Sequence, residues 1–264
     1  MEPFDIKIFG ERNTGTNALT QIIEKHSASR VFPNLWDDNK RARRKKKYLN
    51  KFLRGIGVNK TVRNRAKERA IDKIFFGQPA CLAWKHCATH FNDISSLEHS
   101  SIIFLVRNPI SWAWSLYKNP YHLIGSPPKT FWEFLSRDWE LCQRDNLPFK
   151  TLKPHALYEE KLKSYLSFWT QLEHRKIAYS VIKFEDLVIN QKEVFTKISP
   201  LLKGPEEAFE PLQSSTKSSH KDLNYYIDYY GRELWRDEIG NEGEIRFISE
   251  HISSTVLKRF GYQI

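Results

Sequence analysis

The alternation of apolar and polar positions at the start of the chain predicts a short strand followed by a helix. Residues 6–10 place an isoleucine at every second position and end at a phenylalanine and a glycine, which is typical of a strand that stops at a flexible residue. Apolar residues then recur at helical spacing from about Thr16 to His26. The residues between the strand and the helix form a short polar turn.

Two later apolar runs predict further strands. Residues 101–106 are almost continuously apolar and are followed by Arg107 and by Pro109, which is well accepted in the first turn of a helix. Residues 79–84 are also short and apolar, so a buried strand is expected there as well. Buried strands that alternate with helices indicate an α/β fold with a parallel sheet.

The middle of the chain carries apolar side chains at near-helical recurrence in residues 131–149 and again in residues 161–169. Core helices are the favoured interpretation, and a wall of an acceptor pocket is the alternative. An aromatic group at residues 225–235 would suit stacking against a sugar ring. The whole chain, residues 1–264, is expected to be one α/β domain with a central, mostly parallel sheet flanked by helices.

Composition limits the classes of protein to which the chain can belong. Its 264 residues with 40% apolar content suffice for one large core, and it contains no run of eighteen apolar residues that could span a membrane. The N-terminus reaches its first strand without the basic and apolar regions of a signal peptide. We therefore expect a soluble, cytoplasmic protein. The cysteines lack paired spacing, which favours reduced, structural thiols at Cys81, Cys87 and Cys142.

A strong positive charge distinguishes the chain, with 42 Lys and Arg against 31 Asp and Glu and a net charge of +11. Such a surface attracts polyanions, nucleotides or acidic membranes without choosing among them. Many of the cations fall in a basic insertion at about residues 37–78. The insertion is open to four interpretations: a patch for a polyanion such as an acidic glycan, a nuclear localisation signal, a membrane-surface helix, or a solvated excursion. Its sparse aromatic residues argue against base stacking on nucleic acid.

The turn between the first strand and the first helix has the chemistry of a phosphate cradle. It offers a cation, side chains that can hydrogen-bond and a glycine that permits close backbone approach, and the helix behind it aims its N–H groups at the turn. A Walker A motif does not fit, because its glycine spacing and its lysine are absent. A capped helix start without a ligand is the alternative. The candidate binding residues are Arg12, Asn13, Thr14, Gly15, Thr16 and Asn17.

Residues at the ends of the next two predicted strands are expected near the same turn, because ligands of open α/β sheets lie beyond the carboxyl ends of the strands. Lys85 and His86 follow residues 79–84, and Arg107 follows residues 101–106. Ser115 lies two helical turns beyond Arg107, and a guanidinium near a hydroxyl suits a second phosphate group. A nucleotide phosphorylated at two places would supply both groups. A structural histidine, a salt-bridged arginine and a polar helix face are the alternatives.

Together these motifs resemble those of the PAPS-dependent sulfotransferases, whose donor is 3′-phosphoadenosine 5′-phosphosulfate (PAPS). Residues 10–19 look like the family's turn for the 5′-phosphosulfate, and Val-Arg-Asn-Pro with Ser115 matches its 3′-phosphate motif in residue type and spacing. Phe-Glu-Asp-Leu at 184–187 is similar to a strand end common in the family, and Phe-Gly-Tyr at 260–262 looks like the ending of its bacterial-type and carbohydrate-acting members. The resemblance spans nearly the whole chain and implies a P-loop-like three-layer sandwich.

The chain departs from the family's pattern at two places. Asn13 occupies the position of the lysine that usually contacts the bridging oxygen of PAPS, which leaves Arg12 and Lys85 as the available cations. The Gly-x-x-Gly-x-Trp-Lys motif of many cytosolic members is missing, and residues 214–221 stand in its place. A basic surface loop is the alternative to a closure over the 3′-phosphate by Lys217, Ser219 and Lys221.

The resemblance implies transfer of a sulfuryl group from PAPS to a hydroxyl or amine, with PAP, the desulfated nucleotide, as product and with no metal. His86 is then the expected base, because a neutral imidazole can take the acceptor's proton. Arg12 and Lys85 are expected to stabilise charge on the departing phosphate, assisted by the turn. Carboxylate bases occur in the carbohydrate-acting branch, so Glu11 or a residue of the 140s is the alternative base.

Three functions stay open from the sequence. The preferred one is a sulfotransferase that acts on a carbohydrate or glycolipid acceptor. The second is a protein that binds PAP or PAPS without transfer, which the departure at Asn13 favours, and the third is a polyanion-binding protein that uses the basic insertion. An ATP-dependent kinase of related fold is weaker, because Walker A is absent. Nucleic acid is not an expected partner, and peripheral contact with a membrane or an acidic glycan is expected only through the basic insertion.

Overall fold

The computed structural model describes residues 4–35, 40–213 and 221–263 of the chain. The strands are β1 Ile6–Gly10, β2 Ser101–Val106, β3 Trp139–Glu140, β4 Thr151–Leu152 and β5 Tyr179–Lys183. The α-helices are α1 Thr16–His26, α2 Lys40–Gly55, α3 Lys60–Phe75, α4 Pro109–Lys118, α5 Phe131–Ser136, α6 Pro154–His174, α7 Phe184–Ile189, α8 Gln191–Ile198, α9 Leu223–Gly231, α10 Trp235–Ile239, α11 Glu242–His251 and α12 Ser254–Arg259. Short 3-10 turns lie at Ala80–Leu82, Ser95–Leu97, Gln143–Asp145 and Ser199–Leu201.

The central sheet has three parallel strands in the order β1-β2-β5. Ile8 of β1 is paired with Ile103 of β2, and Leu105 of β2 is paired with Ile182 of β5. All three strands therefore end at the same edge, where the turn after β1 and Arg107 after β2 are neighbours. A second, antiparallel sheet consists of β3 and β4 only.

Helices cover both faces of the parallel sheet. On one face, Phe104 of β2 packs in a cluster with Trp112 of α4 and Phe168 of α6. On the other face, Ile8 and Leu105 belong to a cluster with α1 and α8. Because successive strand residues point to opposite faces, the continuous apolar run of β2 is buried on both sides. The predicted α/β fold with a parallel sheet flanked by helices is confirmed.

The start of α4 shows how the chain passes from strand to helix at this edge. The side-chain oxygen of Asn108 accepts hydrogen bonds from the N–H groups of Ile110 at 3.0 Å and Ser111 at 3.2 Å. Pro109 takes the first helical position, where its missing N–H would have had no partner within the helix. The helix predicted after β2 is therefore confirmed, as is the first helix from Thr16 to His26.

Residues 79–84 do not form the strand that their apolar pattern predicts. They contain a single 3-10 turn, Ala80–Leu82. The Nζ atom of Lys7 donates to the carbonyl oxygens of Cys81 at 2.8 Å and Ala83 at 2.6 Å, so a side chain of β1 satisfies the groups that a strand ladder would have used. The segment nevertheless runs beside the end of β1, because the N–H of Gly10 donates to the carbonyl of Lys85 at 2.9 Å.

Residues 131–149 do not form one core helix either. Helix α5 ends at Ser136, and the chain continues through β3 and a 3-10 turn. Asn146 has a left-handed backbone, with φ of 58°, and Pro148 lacks an N–H, so a helix cannot continue through this segment. Residues 161–169 do lie within one core helix, α6, as predicted.

The described part of the basic insertion forms α2 and α3, and α3 is joined to the core by buried charges. Arg144 donates to Asp72 at 2.6 Å and to Glu68 at 2.5 Å, and its guanidinium lies 4.5 Å from the ring centroid of Trp84. Burial would raise the pKa of Glu68, but its bonds with His122 and Arg144 outweigh this effect and lower the pKa to about 2. Helix α3 is thus an integral part of the fold and not a solvated excursion.

The structure bears on the state of the cysteines and on the presence of membrane-spanning helices. Cys81, Cys87 and Cys142 are free thiols, and burial raises the pKa of Cys87 and of Cys142 to about 12, so both stay protonated. Within the described ranges, no helix combines the length and apolar character needed to cross a bilayer.

Candidate functional site

The turn between β1 and α1 is built on two residues with a left-handed backbone. The φ angles are 64° at Asn13 and 86° at Gly15. The hydroxyl of Thr14, whose side chain is buried, donates to the carbonyl oxygen of Glu11 at 2.6 Å and closes the turn on itself. The shape of the turn is therefore set by the protein's own hydrogen bonds.

Close packing explains why glycines stand at both ends of this turn. A Cβ atom at Gly10 would lie 2.7 Å from the carbonyl oxygen of Leu105 and 2.7 Å from the Thr14 hydroxyl. A Cβ atom at Gly15 would lie 2.8 Å from the ring of Phe184. Both positions bring the turn against the adjacent strand end or helix more closely than another residue type allows.

Helix α1 begins at this turn without a side-chain cap. Gly15 is the N-cap residue and supplies no side-chain cap, and the first turn contains no acidic residue. The N–H groups of the first turn and the positive end of the helix dipole therefore face the turn without a capping side chain from the N-cap residue. A phosphate or sulfate oxygen is a natural acceptor for such groups.

Lys85 brings a cation to the first turn of α1. Its Nζ atom donates to the side-chain oxygen of Asn17 at 2.5 Å. Its own carbonyl accepts from the N–H of Gly10. The predicted proximity of Lys85 to the turn is confirmed, although the strand expected to place it there is absent.

His86 lies at the same strand end, with a ring whose tautomer is fixed by the backbone. Its Nδ1 atom is 2.5 Å from the carbonyl oxygen of Gly10. A carbonyl oxygen can only accept, so Nδ1 carries the hydrogen and Nε2 keeps a lone pair. The geometry thus leaves Nε2 as the atom of His86 that can accept a proton.

The surroundings keep this imidazole neutral. Burial lowers the pKa of His86 well below 6.5, and the charges of Lys85, Arg12 and Lys161 lower it further, against an opposing contribution from the Gly10 hydrogen bond. The ring is therefore available as a proton acceptor at physiological pH. A low pKa also makes it a weaker base, so catalysis by His86 would depend on good positioning.

Arg107 is held in place by the turn, by α4 and by α9. Its side chain is only 3% exposed. The guanidinium donates from Nε to the hydroxyl of Ser111 at 2.9 Å, from Nη1 to the carbonyl of Asn13 at 2.7 Å and from Nη2 to the hydroxyl of Tyr230 at 2.9 Å. The backbone N–H of Arg107 is bound by the hydroxyl of Tyr158 at 2.8 Å.

Each of these side-chain partners is a neutral oxygen, and no carboxylate in the described parts of the chain forms an ion pair with Arg107. The rings of Phe184 and Tyr230 lie 4.3 Å and 5.1 Å from its guanidinium carbon. The carboxylate of Glu185 approaches this charge through the hydroxyl of Ser111, 3.4 Å away, and an anion that reached the buried guanidinium directly would gain a charge-assisted pair. The alternative of a salt-bridged arginine is therefore not what the structure shows.

Arg12 has a different environment, because its charge is balanced by buried carboxylates. Its guanidinium donates to Glu11 at 2.6 Å and to the two oxygens of Asp145 at 2.8 and 3.0 Å, while Lys161 pairs with the same two carboxylates. Burial opposes the charge of Arg12, but Asp145 and Glu11 more than offset it and raise its pKa. These contacts, and an exposure of 1%, place Arg12 in a buried cluster of balanced charges beneath the turn, and its predicted catalytic role stays a prediction.

The buried cluster around Arg12 contains Glu11 and Asp145, which are candidates for the alternative base. Burial would raise the pKa of Asp145, but Arg12 and Lys161 outweigh it and hold the pKa well below 3.8. Glu11 is 1% exposed and shares the same cations. Neither carboxylate is placed to accept a proton from an acceptor substrate, so His86 is the better candidate.

Glu185 joins three of the motifs singled out in the sequence. Its carboxylate accepts from the N–H of Asn108 at 2.9 Å and from the hydroxyl of Tyr262 at 2.7 Å. Lys183 in turn donates to the carbonyl of Gly261 at 2.6 Å. The Phe-Glu-Asp-Leu segment, the Val-Arg-Asn-Pro segment and the closing Phe-Gly-Tyr segment therefore meet behind the end of the sheet.

The remaining predicted residues differ in how the structure places them. Ser115 is half-buried on α4, one turn beyond Ser111. Lys221 is exposed and donates to the hydroxyl of Tyr225 at 2.6 Å. Lys217 and Ser219 lie outside the described residues, so the predicted closure over the 3′-phosphate stays a prediction.

Sequence reasoning missed several residues that complete the site. The hydroxyl bound to Arg107 is that of Ser111, not that of Ser115. The spacing could have indicated this contact, because Ser111 follows Arg107 by four residues, about one helical turn. Tyr230 was noted only as part of an aromatic group. No pattern in the sequence links Asp145 and Lys161 to Arg12, since these contacts depend on the tertiary fold.

In comparisons with known proteins, no protein-family model matches the chain and no curated protein sequence matches it. Within the described ranges, no group of three or more His, Cys, Asp or Glu side chains is arranged to hold a metal ion.

Proposed function

We propose that the chain is a PAPS-dependent sulfotransferase with a P-loop-like fold. In this proposal the turn at residues 10–17 binds the 5′-phosphosulfate, Arg107 binds the 3′-phosphate, and His86 takes the proton of the acceptor. The acceptor would be a hydroxyl or amine of a carbohydrate or glycolipid, in keeping with the branch that the sequence resembles.

The environment of Arg107 is the observation that carries the proposal. Its guanidinium is buried, bonds to neutral oxygens alone among the residues that the structure describes, and touches the turn through the carbonyl of Asn13. A phosphate at Arg107 and a second anion at the start of α1 would thus occupy neighbouring positions on one sheet edge. A nucleotide with phosphate groups on both its 3′ and 5′ oxygens has this arrangement of charge.

The start of α1 supports a role in binding the sulfated end of the donor. The first turn has no side-chain cap, and Lys85 reaches its residue Asn17. Uncapped N–H groups and an adjacent ammonium group stabilise charge that develops on a phosphate oxygen. Lys85 therefore takes the role for which the sequence also offered Arg12.

His86 would act through Nε2, because Nδ1 is already bound to Gly10. As the acceptor's proton moves to Nε2, the acceptor atom forms a bond to sulfur and the bond from sulfur to the bridging phosphate oxygen breaks. The electron pair of that bond stays on PAP, where Lys85 and the α1 N–H groups would stabilise it. His86 then releases the proton to solvent.

Calorimetric binding of PAP and of 5′-AMP tests the proposal, since the two nucleotides differ by the 3′-phosphate. The wild type should bind PAP the more tightly. Arg107→Gln should weaken PAP roughly 10- to 100-fold, the size expected for charge-assisted hydrogen bonds, and should bind the two nucleotides about equally. Moderate salt screens non-specific attraction to a protein of net charge +11.

Arg175→Gln is the matched control, because it also removes one positive charge but from an exposed pair with Glu98. It should leave the preference for PAP unchanged. Equal binding of PAP and 5′-AMP by the wild type, or a preference for PAP that survives Arg107→Gln, would overturn the proposal. Circular dichroism of both variants shows whether they are folded.

Binding without transfer is the second candidate function, and Asn13 favours it. The residue contributes an amide where the family has a lysine, and the neighbouring Arg12 is paired with Glu11 and Asp145. A protein of this kind would bind PAP but form none from PAPS with an unsulfated glycosaminoglycan or a galactosyl lipid as acceptor. Formation of PAP that depends on either acceptor would exclude it.

A further inference from the structure

Helix α2 has features that the nucleotide site does not use. Its sixteen residues contain nine Lys or Arg and no Asp or Glu. Among those whose side chains are described, Lys40, Arg43, Arg44, Lys47, Lys51 and Arg54 are exposed. The helix is therefore a concentrated positive surface.

The same helix exposes a line of large apolar side chains. Tyr48, Phe52 and Ile56 recur every four residues and are 71%, 63% and 61% exposed. Residues four apart lie one above the other on a helix, so the three form a stripe that continues past the last helical residue. We refer to Tyr48, Phe52 and Ile56 as the apolar stripe.

A second apolar side of α2 holds the helix on the protein. Leu49 and Leu53 are half-buried, and α2 packs against α3. Helix α3 is fixed in turn by the buried pairs of Arg144 with Glu68 and Asp72. The apolar stripe is therefore not needed for the packing of α2. It lies on a helix that is held against the core through α3.

We propose that α2 is a membrane-surface helix that docks the protein on bilayers containing anionic lipids. Basic residues would contact the lipid headgroups, and the apolar stripe would enter the boundary between headgroups and acyl chains. Such binding combines buried apolar area with attraction to anionic lipid. This proposal does not depend on the activity of the nucleotide site.

The charge and the stripe together favour a lipid surface over other occupants. A second copy of the chain would bring two strongly basic helices together, which like charges oppose. A sulfated glycan or a nucleic acid would satisfy the cations but would leave much of the apolar stripe in water. Val62 of α3 and Phe76 after its end add exposed apolar groups to the same insertion, at 49% and 72% exposed.

Flotation of the full chain with vesicles tests the proposal. The vesicles are phosphatidylcholine alone, or phosphatidylcholine with roughly a third phosphatidylserine. The wild type should float with the anionic vesicles and much less with the neutral ones. Lys47→Gln with Lys51→Gln should weaken binding about 25-fold, since each basic residue near the surface contributes about fivefold.

The apolar stripe is tested by Tyr48→Ser with Phe52→Ser, which should weaken binding to anionic vesicles roughly tenfold or more. The controls are Phe149→Ser, which removes an aromatic side chain that is 44% exposed elsewhere, and Lys192→Gln on α8. Neither should change flotation. All these changes are at exposed positions, so the variants should fold like the wild type.

Two results would overturn the proposal. One is flotation that does not increase with phosphatidylserine. The other is loss of binding in the charge variant with no loss in the apolar variant, which would make α2 a general polyanion surface. Heparin and duplex DNA serve as probes for that outcome, because binding to them should weaken steeply with salt and should be indifferent to the apolar stripe.

Discussion

The Nη1 atom of Arg107 donates to the backbone carbonyl of Asn13, 2.7 Å away. This bond joins the ends of β1 and β2, which are neighbours in the sheet. It also holds Asn13, one of the two left-handed residues of the turn, whose φ is 64°. Arg107 thus helps to shape the turn and, in the proposed site, also faces the 3′-phosphate, so a change at Arg107 should affect both halves of that site.

The first prediction separates the two serines of α4. Ser111→Ala removes a buried hydroxyl that binds Arg107 at 2.9 Å, so it should lower both the free energy of unfolding, by about 1 kcal/mol, and the affinity for PAP. Ser115→Ala should lower the affinity for PAP about fivefold but leave the free energy of unfolding unchanged, if Ser115 contacts the 3′-phosphate. Chemical denaturation and calorimetry measure the two quantities.

A result in which Ser115→Ala binds PAP as the wild type does would remove Ser115 from the site and leave Ser111 as the relevant hydroxyl. Thr196→Ala on α8 is a suitable control. Its hydroxyl donates to the backbone carbonyl of Lys192 at 3.0 Å, on an exposed helix face. PAP affinity should not change in this variant.

The second prediction concerns the protonation of His86. Because burial and neighbouring cations lower its pKa well below 6.5, the ring should stay neutral, with the hydrogen on Nδ1, at neutral pH and still at pH 6.5. Nitrogen NMR of the imidazole distinguishes the two tautomers and the protonated form. The unfolded chain takes up a proton below about pH 6.5 while folded His86 does not, so this residue makes the fold less stable as pH falls.

Activity supplies an independent check on His86. His86→Gln should reduce turnover with PAPS by about 100- to 10,000-fold, the usual contribution of a general base, while PAP binding changes little. His99→Gln, at an exposed histidine, is the control. A signal from His86 that titrates near pH 6.5, or turnover that is unchanged in His86→Gln, would be incompatible with its assigned role.

The sequence predicted those parts of the fold that depend on local pattern. The strand at 6–10, the helix from Thr16 to His26 and the junction at Arg107 all follow from apolar periodicity with a glycine or proline at the boundary. The strand predicted at residues 79–84 was wrong because the side chain of Lys7 donates hydrogen bonds to the carbonyl oxygens of that segment. This contact depends on the tertiary fold and is not visible in the local pattern. The single core helix predicted over residues 131–149 was wrong because apolar spacing alone does not distinguish one long helix from a short helix followed by an antiparallel strand pair.

The candidate site was predicted in part for similar reasons. Arg107, Lys85 and His86 stand at segment ends, so their proximity to the turn could be expected from the topology of parallel sheets. The pairing of Arg12 with Asp145 joins residues 133 positions apart and leaves no mark on the sequence. Arg12 and Lys85 were both expected to stabilise the departing phosphate, and this buried pairing engages the guanidinium of Arg12 with carboxylates.

The third prediction concerns Gly15. Gly15→Ala should destabilise the fold in two ways, since alanine costs about 1–2 kcal/mol in a left-handed conformation and its Cβ would also lie 2.8 Å from the ring of Phe184. Gly57→Ala isolates the first cost, because Gly57 has φ of 75° but no atom within 4 Å of the added Cβ. Gly15→Ala should therefore unfold at a clearly lower denaturant concentration than Gly57→Ala.

Phe184 lies against the guanidinium of Arg107, so movement of its ring in Gly15→Ala should also weaken PAP binding. Gly57→Ala should bind PAP normally. Equal stability of the two glycine variants would show that the turn does not pack on α7 as described.

The fourth prediction concerns the buried cluster beneath the turn. Asp145→Asn keeps the size of the side chain but leaves Arg12 and Lys161 with Glu11 alone, so the free energy of unfolding should fall by about 3–5 kcal/mol. Glu98→Gln, in an exposed pair with Arg175, should cost less than about 1 kcal/mol. Denaturant unfolding of the two variants gives the comparison.

The pH dependence of the Asp145 contribution has a definite sign. The folded pKa of Asp145 is held well below 3.8, so the stability it provides is present above that value and is lost as pH falls towards the folded pKa. The stability gap between the wild type and Asp145→Asn should therefore be constant near neutral pH and should shrink below about pH 4. A gap that instead closes near neutral pH, or an Asp145→Asn variant as stable as Glu98→Gln, would mean that Arg12 is not neutralised by this carboxylate. Arg12 would then return to the cations available to the donor phosphate.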